Sequence, residues 1–475
     1  MSNINLLIFD VGSTYTKLSG FQLKDSDLLF IDRTQVPTTV ADIELGFQNA
    51  KQKLSEQGND LSADSIVLST SSAAGGLRMV ALGYMPRVTA KAAKEVAMSA
   101  GARVLEIISH EDQPEYRIQV LKEIKPDIIL LAGGTDGGDQ DSMLENTQII
   151  IAANVQAVVI IAGNKYAQPK VAEILAANHI NSIRVPNLMP TIHELKVKPA
   201  REAIHRQFIK QIITAKGLSK LIEQVSNNKI IPTPGAILLG AELLAKGIYG
   251  ENGVGNVLII DIGGATTDIH SVLPELENLS IEEKGLIVNN EKQPSYRTVE
   301  GNLGLRVSAT GIVETIGPLG VLTKIGFDKK YEESLVKYTE FLEKNTDYIP
   351  QNEVEMQFDI ALSISAIEIA LKRHAGFIAK EFDPLMGITP GTPIGRDLRK
   401  IKHVIAVGGI FTHSAPDVKI KILTEAFRHP GLSLLPQNPD FIIDENYLMY
   451  AIGVLAQEYS EYTLEFAKKY FKLEE

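Results

Sequence analysis

The chain has 475 residues, 44% hydrophobic and 22% charged, with a formal net charge of −11 and no cysteine. That composition supports sizeable globular cores and excludes disulfides, thiolate zinc sites and thiol catalysis. The acidic balance disfavours DNA or RNA as a partner, and no Lys/Arg cluster interleaved with aromatics supplies a local basic groove.

The N-terminal MSNINLL has no basic stretch, long apolar region or cleavage site, so no signal peptide is expected. No run of about 18 uninterrupted apolar residues predicts a membrane span. The longest candidate, residues 149–163, is broken by Asn154 and Gln156 and predicts a helix end followed by a strand. A cytoplasmic protein is the expectation.

In chain order, LLIFDVG, TKLSGFQL and LLFIDRTQV predict an antiparallel meander. ADIELGFQNAKQKLSEQG predicts a helix ending at Gly58. Strands SIVLSTS, RVLEII, DIILLAGG and AVVIIAGN then alternate with helices near 90–100, 113–124 and 168–178. This pattern predicts a mostly parallel sheet covered on both faces. Residues 190–230 are polar and helical in pattern. PTPGAILLGAELLAKG (232–247) predicts an apolar helix whose Gly235, Ala236, Gly240 and Ala241 suit a close helix approach or simple core packing. The strand–turn–strand pattern restarts at NVLIIDIGGATTDIHSVL (256–273). Helices are predicted over 355–382 and from Asn446 to the C-terminus, and HVIAVGGIFTH runs from a strand into a double glycine.

One long-period repeat carries chemistry. Asp10, Gly12 and Thr16 read D-x-G-x-x-x-T, and Asp261, Gly263 and Thr267 read the same about half the chain later. Each copy follows four apolar residues and precedes a return strand. Glycines admit tight turns and close ligand approach, and successive amides in such turns form anion-binding concavities. Ser13, Thr14, Thr16, Thr266 and Thr267 can add hydroxyl donors. A carboxylate at a buried strand end is costly alone but useful beside a hydrated magnesium ion, which pairs carboxylates with phosphates. The two turns are therefore expected to clamp a metal polyphosphate, with Asp10 and Asp261 orienting Mg²⁺ and Lys17 neutralising phosphate. A single such turn is more often a plain hairpin; two copies in matched contexts, plus the glycine pair at 408 and 409, argue for a site.

These residues resemble the ATPase superfamily of actin, heat-shock chaperones and sugar kinases. DVGSTYTK is similar to the first phosphate motif, with Lys17 in the place of actin's phosphate-contacting lysine. DIGGATTD, including Gly263, Gly264, Ala265, Thr266 and Thr267, is similar to the second. VIAVGGIFTHS resembles the adenosine motif, where Gly408 and Gly409 pass close to the nucleoside. Residues 232–247 and 447–457 resemble the two connecting helices. The resemblance implies an α/β fold of two actin-like (ribonuclease H-like) ATPase domains around a central nucleotide cleft. The expected domains are 1–252 and 253–475, with a C-terminal helix of about 446–470 packing back on the first. It also implies ATP/ADP and Mg²⁺.

A narrower resemblance covers STSSAAGGLRMVALG (69–83), IILLAGGTDGGD (128–139), RTVEGNLGLR (297–306) and RHAG (373–376). These look like the accessory-protein family of glutamate mutase, the MutL/GlmL type. The mismatch-repair ATPase that shares the name has a different fold, and no repair role is implied. The implied role is ATP-dependent reactivation of an adenosylcobalamin-dependent mutase. A small-molecule kinase and an actin-like filament protein are the alternatives. In heat-shock chaperones a Glu just before the first connecting helix positions the attacking water, whereas residues 229–233 here contain no acid. Asp136 is the substitute candidate, or it merely shapes its glycine-rich turn. Arg297, Glu300 and Arg306 either line the cleft or pair on its surface, the second being the expectation, and His374 is expected to complement the dipole at a helix end.

Overall fold

The computed structural model describes residues 3–12, 15–25, 27–38, 43–71, 77–83, 96, 102–191, 196–213, 225–226, 230–277, 294–382 and 388–473. The chain divides into two compact units, one of residues 1–73 and 220–475, the other of residues 74–219. The boundary expected at 252/253 therefore falls inside the first unit. The reason is packing: strands and helices from both sides of that boundary share one apolar core. The expected helix near 90–100 lies outside the described residues.

The first unit opens with the meander β1 (Asn3–Val11), β2 (Tyr15–Lys24) and β3 (Asp27–Pro37), followed by α1 (Ile43–Glu56) and β4 (Asp60–Ser71). Leu6, Leu7, Ile8 and Phe9 are all buried, so β1 is covered on both faces and carries a continuous apolar run instead of an alternating one.

The second unit is a parallel sheet of β5 (Leu77–Gly83), β6 (Ala102–Ser109), β7 (Ile128–Leu131), β8 (Val158–Ile161) and β9 (Ser182–Arg184) in the order β6-β5-β7-β8-β9. Helices α2 (Pro114–Ile124), α3 (Asp141–Ala153), α4 (Gln168–Ala177) and α5 (Lys198–Ile213) accompany it. The expected helix end at 149–163 is seen: Asn154 takes a left-handed conformation, φ +50°, after α3, as helix-terminating Asn does.

The first unit resumes with β10 (Ile230–Pro232) and α6 (Thr233–Lys246), then β11 (Val257–Ile262), β12 (Thr267–Val272) and β13 (Ser295–Glu300). Next come α7 (Ala309–Leu322), α8 (Glu332–Lys344), α9 (Glu353–His374), β14 (His403–Val407), α10 (Gly409–His413), α11 (Pro416–Phe427), β15 (Asp440–Ile443), α12 (Met449–Glu458) and α13 (Ser460–Tyr470). The expected 355–382 helix stops at His374, because Gly376 turns to donate to the Arg396 carbonyl at 2.7 Å. A Cβ there would lie 2.1 Å from the Ile394 oxygen. The single C-terminal helix is in fact two, broken at Tyr459 (φ −137°, ψ 47°). The ring of Phe466 on α13 packs 5.7 Å from that of Phe21 on β2.

Two sheets of this unit have the same plan. The orders β3-β2-β1-β4-β10 and β13-β12-β11-β14-β15 both place an antiparallel meander beside two parallel strands. Asp10 pairs with Lys17 and Thr70 in the first sheet; Asp261 pairs with Asp268 and Val407 in the second. The two acids of the repeat thus occupy equivalent positions on equivalent strands. Helices α6 and α12 cross where Gly240 meets Met449 and Gly453 meets Ala236, so the small residues serve a close helix approach.

Candidate nucleotide site

Both repeat turns close the same way. The Gly12 amide donates to the Tyr15 carbonyl at 3.0 Å, and the Gly263 amide to the Thr266 carbonyl at 2.9 Å. In the second turn the neighbouring loop takes up the carbonyls. Leu305 N donates to Gly263, Arg306 N and Val307 N to Gly264, and Ser308 Oγ to Ala265. The amides of Gly264 and Ala265 find no acceptor among the described residues, which leaves them for an anion. Ser13 and Thr14 lie outside the described residues. The other three hydroxyls expected to meet a ligand are partnered within the protein. Thr16 Oγ1 is 3.1 Å from Thr38 Oγ1, Thr266 Oγ1 donates to Asp268, and Thr267 Oγ1 donates to the Leu303 carbonyl. They shape the turns, since a hydroxyl buried without a partner is costly.

Gly408 and Gly409 follow β14, beside the second turn. Gly408 has φ +139°, and a Cβ there would lie 2.3 Å from the Ile262 carbonyl oxygen, whereas a Cβ on Gly409 would meet nothing within 4 Å. Gly409→Val is accordingly expected to keep the fold and to lower nucleotide affinity at least tenfold, while Gly408→Val destabilises the protein. Calorimetric binding beside thermal unfolding measures both; unchanged affinity in folded Gly409→Val removes the nucleoside from this spot.

Asp10 is fully buried and has three donors. Thr70 Oγ1 (2.8 Å) and Thr233 Oγ1 (2.6 Å) donate to Oδ1, and Lys17 Nζ donates to Oδ2 at 2.9 Å. Charge-assisted bonds of this kind satisfy a buried carboxylate. Sequence reading missed Thr70 and Thr233. Register explains Thr70, which lies directly across β4 from Asp10; Thr233 starts α6, more than two hundred residues away. Thr233 also lies in the acid-free stretch 229–233, and its hydroxyl is spent on Asp10.

Asp261 is differently placed. Its one side-chain partner among the described residues is the Tyr447 hydroxyl, 3.3 Å from Oδ1. Burial and the neighbouring Asp268 push its carboxyl up to about 7, against the opposing pull of Lys17 and Tyr447, and Asp10 adds to the rise. Burial, followed by the Asp261 and Asp10 charges, pushes the Tyr447 hydroxyl well above its ordinary value and keeps it a donor. The Lys17 ammonium lies 4.0 Å over the Tyr447 ring centroid. Beside this group, Asp268 accepts from Arg297 Nε and Nη2 at 3.0 and 2.6 Å. Arg297 is buried, and Arg306 pairs with the buried Asp359 at 2.7 Å. Both arginines pair as expected, Arg297 inside the protein and Arg306 half-buried. His374 is buried too, between Ser271 Oγ and Thr298 Oγ1; burial and Arg396 hold it well below its ordinary value. It is therefore neutral and does not act on the helix dipole.

Asp136 belongs to the second unit. Its Oδ1 accepts from the Lys165 amide (3.0 Å) and from Asn187 Nδ2 (2.9 Å), and Lys165 Nζ is 3.6 Å from Oδ2. Burial works against its charge, but these donors hold the carboxyl below its ordinary value. Asp136 thus braces the AGGTDGGD turn.

The profile of the family described as MutL protein matches residues 6–471. The Protein MutL of Clostridium tetanomorphum is 36% identical over 466 residues, 98% of each chain. The chain belongs to the MutL protein family. Among solved structures, the xylulose kinase of Bifidobacterium adolescentis aligns over 98% of this chain and 93% of its own, at 11% identity and TM-score 0.29. A Ppx/GppA phosphatase of Aquifex aeolicus covers 98% and 92%, at 9% identity and TM-score 0.20. Overlaps this slight carry no argument, and the α/β architecture rests on the strand orders above.

The donor set of this MutL-family chain suits a hydrated cation bridging to phosphate. Among the described residues no cluster of three or more His, Asp or Glu side chains would hold a metal alone. Asp261 is a buried carboxyl with one long hydrogen bond, a group a nearby cation would stabilise as the carboxylate. Magnesium, which keeps most of its waters and binds through one or two carboxylates plus phosphates, fits that arrangement. Among the described residues no helix is long and apolar enough to cross a membrane.

Proposed function

We propose that this protein binds ATP with magnesium between the Asp10 and Asp261 turns, hydrolyses it to ADP and phosphate, and acts as a reactivating accessory factor for an adenosylcobalamin-dependent mutase such as glutamate mutase. The observation that carries the nucleotide reading is the placement of two acid-bearing glycine turns at equivalent positions of two sheets of identical order. The mutase partner rests on the loop resemblance and on membership of the MutL family.

In this reading the Gly264 and Ala265 amides and Lys17 bind phosphate oxygens and Asp261 orients water on magnesium; Asp10, expected to share that task, has both oxygens taken by Thr70, Thr233 and Lys17 and fixes Lys17 instead. Bound magnesium would offset the charge developing on the phosphates. Binding ATP would bring the two turns together, and release of phosphate would let them part, a closure that can be passed to a partner surface.

The deciding measurement is ATP turnover with and without purified, inactivated mutase. A rise specific to the inactivated mutase supports the accessory role. Turnover that rises with small alcohols or acids supports a kinase, and ATP-dependent sedimentation supports a filament.

Asp136 is our candidate for orienting the attacking water. Asp136→Asn keeps the Oδ1 that accepts from Lys165 and Asn187, so the turn should survive. The variant is expected to slow hydrolysis about 100-fold or more, the range for loss of a general base, with ATP affinity held. Unchanged turnover would leave Asp136 a purely bracing role.

A further inference from the structure

Tyr447 stands out from its surroundings. It has φ +53°, a left-handed conformation that bulky side chains rarely adopt, and strain of this kind persists only where neighbouring structure enforces it. Those neighbours are visible. The Tyr447 amide donates to the Asp444 carbonyl at 3.1 Å. The buried Asp444 side chain accepts from the Met449 amide (2.7 Å) and the Tyr470 hydroxyl (2.9 Å). Tyr470 in turn accepts from the Asn446 amide at 2.9 Å, and Arg33 Nη1 donates to the Asn446 carbonyl at 2.6 Å. Five bonds thus fix the backbone around one strained tyrosine. Its side chain makes two contacts that no other described residue combines: the hydroxyl reaches Asp261 and the ring underlies Lys17.

Resting on the nucleotide reading above, we propose that Tyr447 is a positioning residue that holds Asp261 of one turn and Lys17 of the other in a common frame. The two halves of the role are chemically separable. The ring attracts the Lys17 ammonium by a cation–π interaction, and the hydroxyl aims the Asp261 carboxyl. Phenylalanine keeps the first and removes the second; leucine removes both.

The test uses the full chain and two readouts. The first, on metal-free protein, is the acylation rate of Lys17 followed by mass spectrometry. Tyr447→Leu should raise it about threefold or more, and Tyr447→Phe should leave it near wild type. The second is calorimetric binding of ADP with magnesium and with EDTA. Tyr447→Phe should lower affinity about five- to tenfold with magnesium and leave the EDTA value unchanged; Tyr447→Leu should lower both. A merely structural tyrosine would shift the unfolding midpoint without this split. Wild-type magnesium dependence in Tyr447→Phe, or equal Lys17 labelling in all three proteins, overturns the proposal while the nucleotide reading stands. A wild-type protein that binds no nucleotide overturns both.

Discussion

Asp261→Asn is expected to lose magnesium-dependent ATP binding by a factor of about 100 and, in metal-free protein at pH 8, to unfold at a higher temperature than wild type. Asp261 is buried, has one long hydrogen bond and faces Asp268 and Asp10, and its carboxyl is pushed up to about 7. In the unfolded chain the same group titrates near 4. Between those values the folded protein retains a proton that the unfolded chain has released. Stability is therefore lost as pH rises from about 4 towards 7, and the penalty is complete above 7. The gap corresponds to a cost on the order of 4 kcal/mol at pH 8. The amide carries no charge, so the gain should be present at pH 8 and vanish at pH 4. Asp10→Ala should lose binding for a different reason and fall in stability. Removing that carboxylate leaves Lys17, Thr70 and Thr233 without their acceptor, a defect worth about 3–5 kcal/mol for a broken buried pair. Scanning calorimetry at both pH values beside ATP titrations measures all of this. If Asp261→Asn binds ATP as wild type does, the clamp is wrong; if its midpoint falls at pH 8, the account of Asp261 burial is wrong.

What could be read from the residues was what local pattern determines. The meander of residues 3–37, the alternation from 102 to 177 and the D-x-G-x-x-x-T pair each repeat a short local pattern: apolar run, turn and return strand in the meander and the pair, apolar strand then helix from 102 to 177. Their positions in the structure follow it. What could not be read depends on chain segments meeting from far apart. Thr233 and Tyr447 come to Asp10 and Asp261 across 223 and 186 residues. Nothing in PTPG or ENYLM marks a hydroxyl as partner to a carboxylate. The division into compact units has a related basis. The repeat lies in two chain halves, but the core between them is shared, and the compact inserted sheet is the β5–β9 segment. The 355–382 helix was overrun because only the long-range pairing of Gly376 with Arg396 stops it.

Gly453→Val should be the most damaging single change away from the acids. A Cβ at residue 453 would lie 1.6 Å from the Ala236 carbonyl oxygen and 2.4 Å from its carbon. Both are backbone atoms of α6, so no side chain can swing aside and the helices must separate. That opens a core of Ile237, Ala241, Leu244, Ile452 and Leu455, all fully buried. Ordinary overpacking costs about 1–3 kcal/mol. With backbone displaced on both sides, the loss should exceed about 4 kcal/mol, the exceptional class for point changes. Gly240→Ala tests the same crossing more gently. Its Cβ would meet the flexible Met449 Cε at 3.0 Å and the Met449 oxygen at 3.1 Å, so the cost should stay in the ordinary range. The crossing also has a functional consequence. Thr233 begins α6, and Tyr447 lies two residues before α12. One partner of each acid is therefore carried on, or just before, one of the two helices that Gly240 and Gly453 allow to touch. Gly240→Ala should accordingly weaken magnesium-dependent ATP binding while the protein remains folded. Urea unfolding of the two variants gives the ranking. A Gly453→Val protein within about 1 kcal/mol of wild type would show that the helices can part freely, and that the acids are not held in place by this crossing.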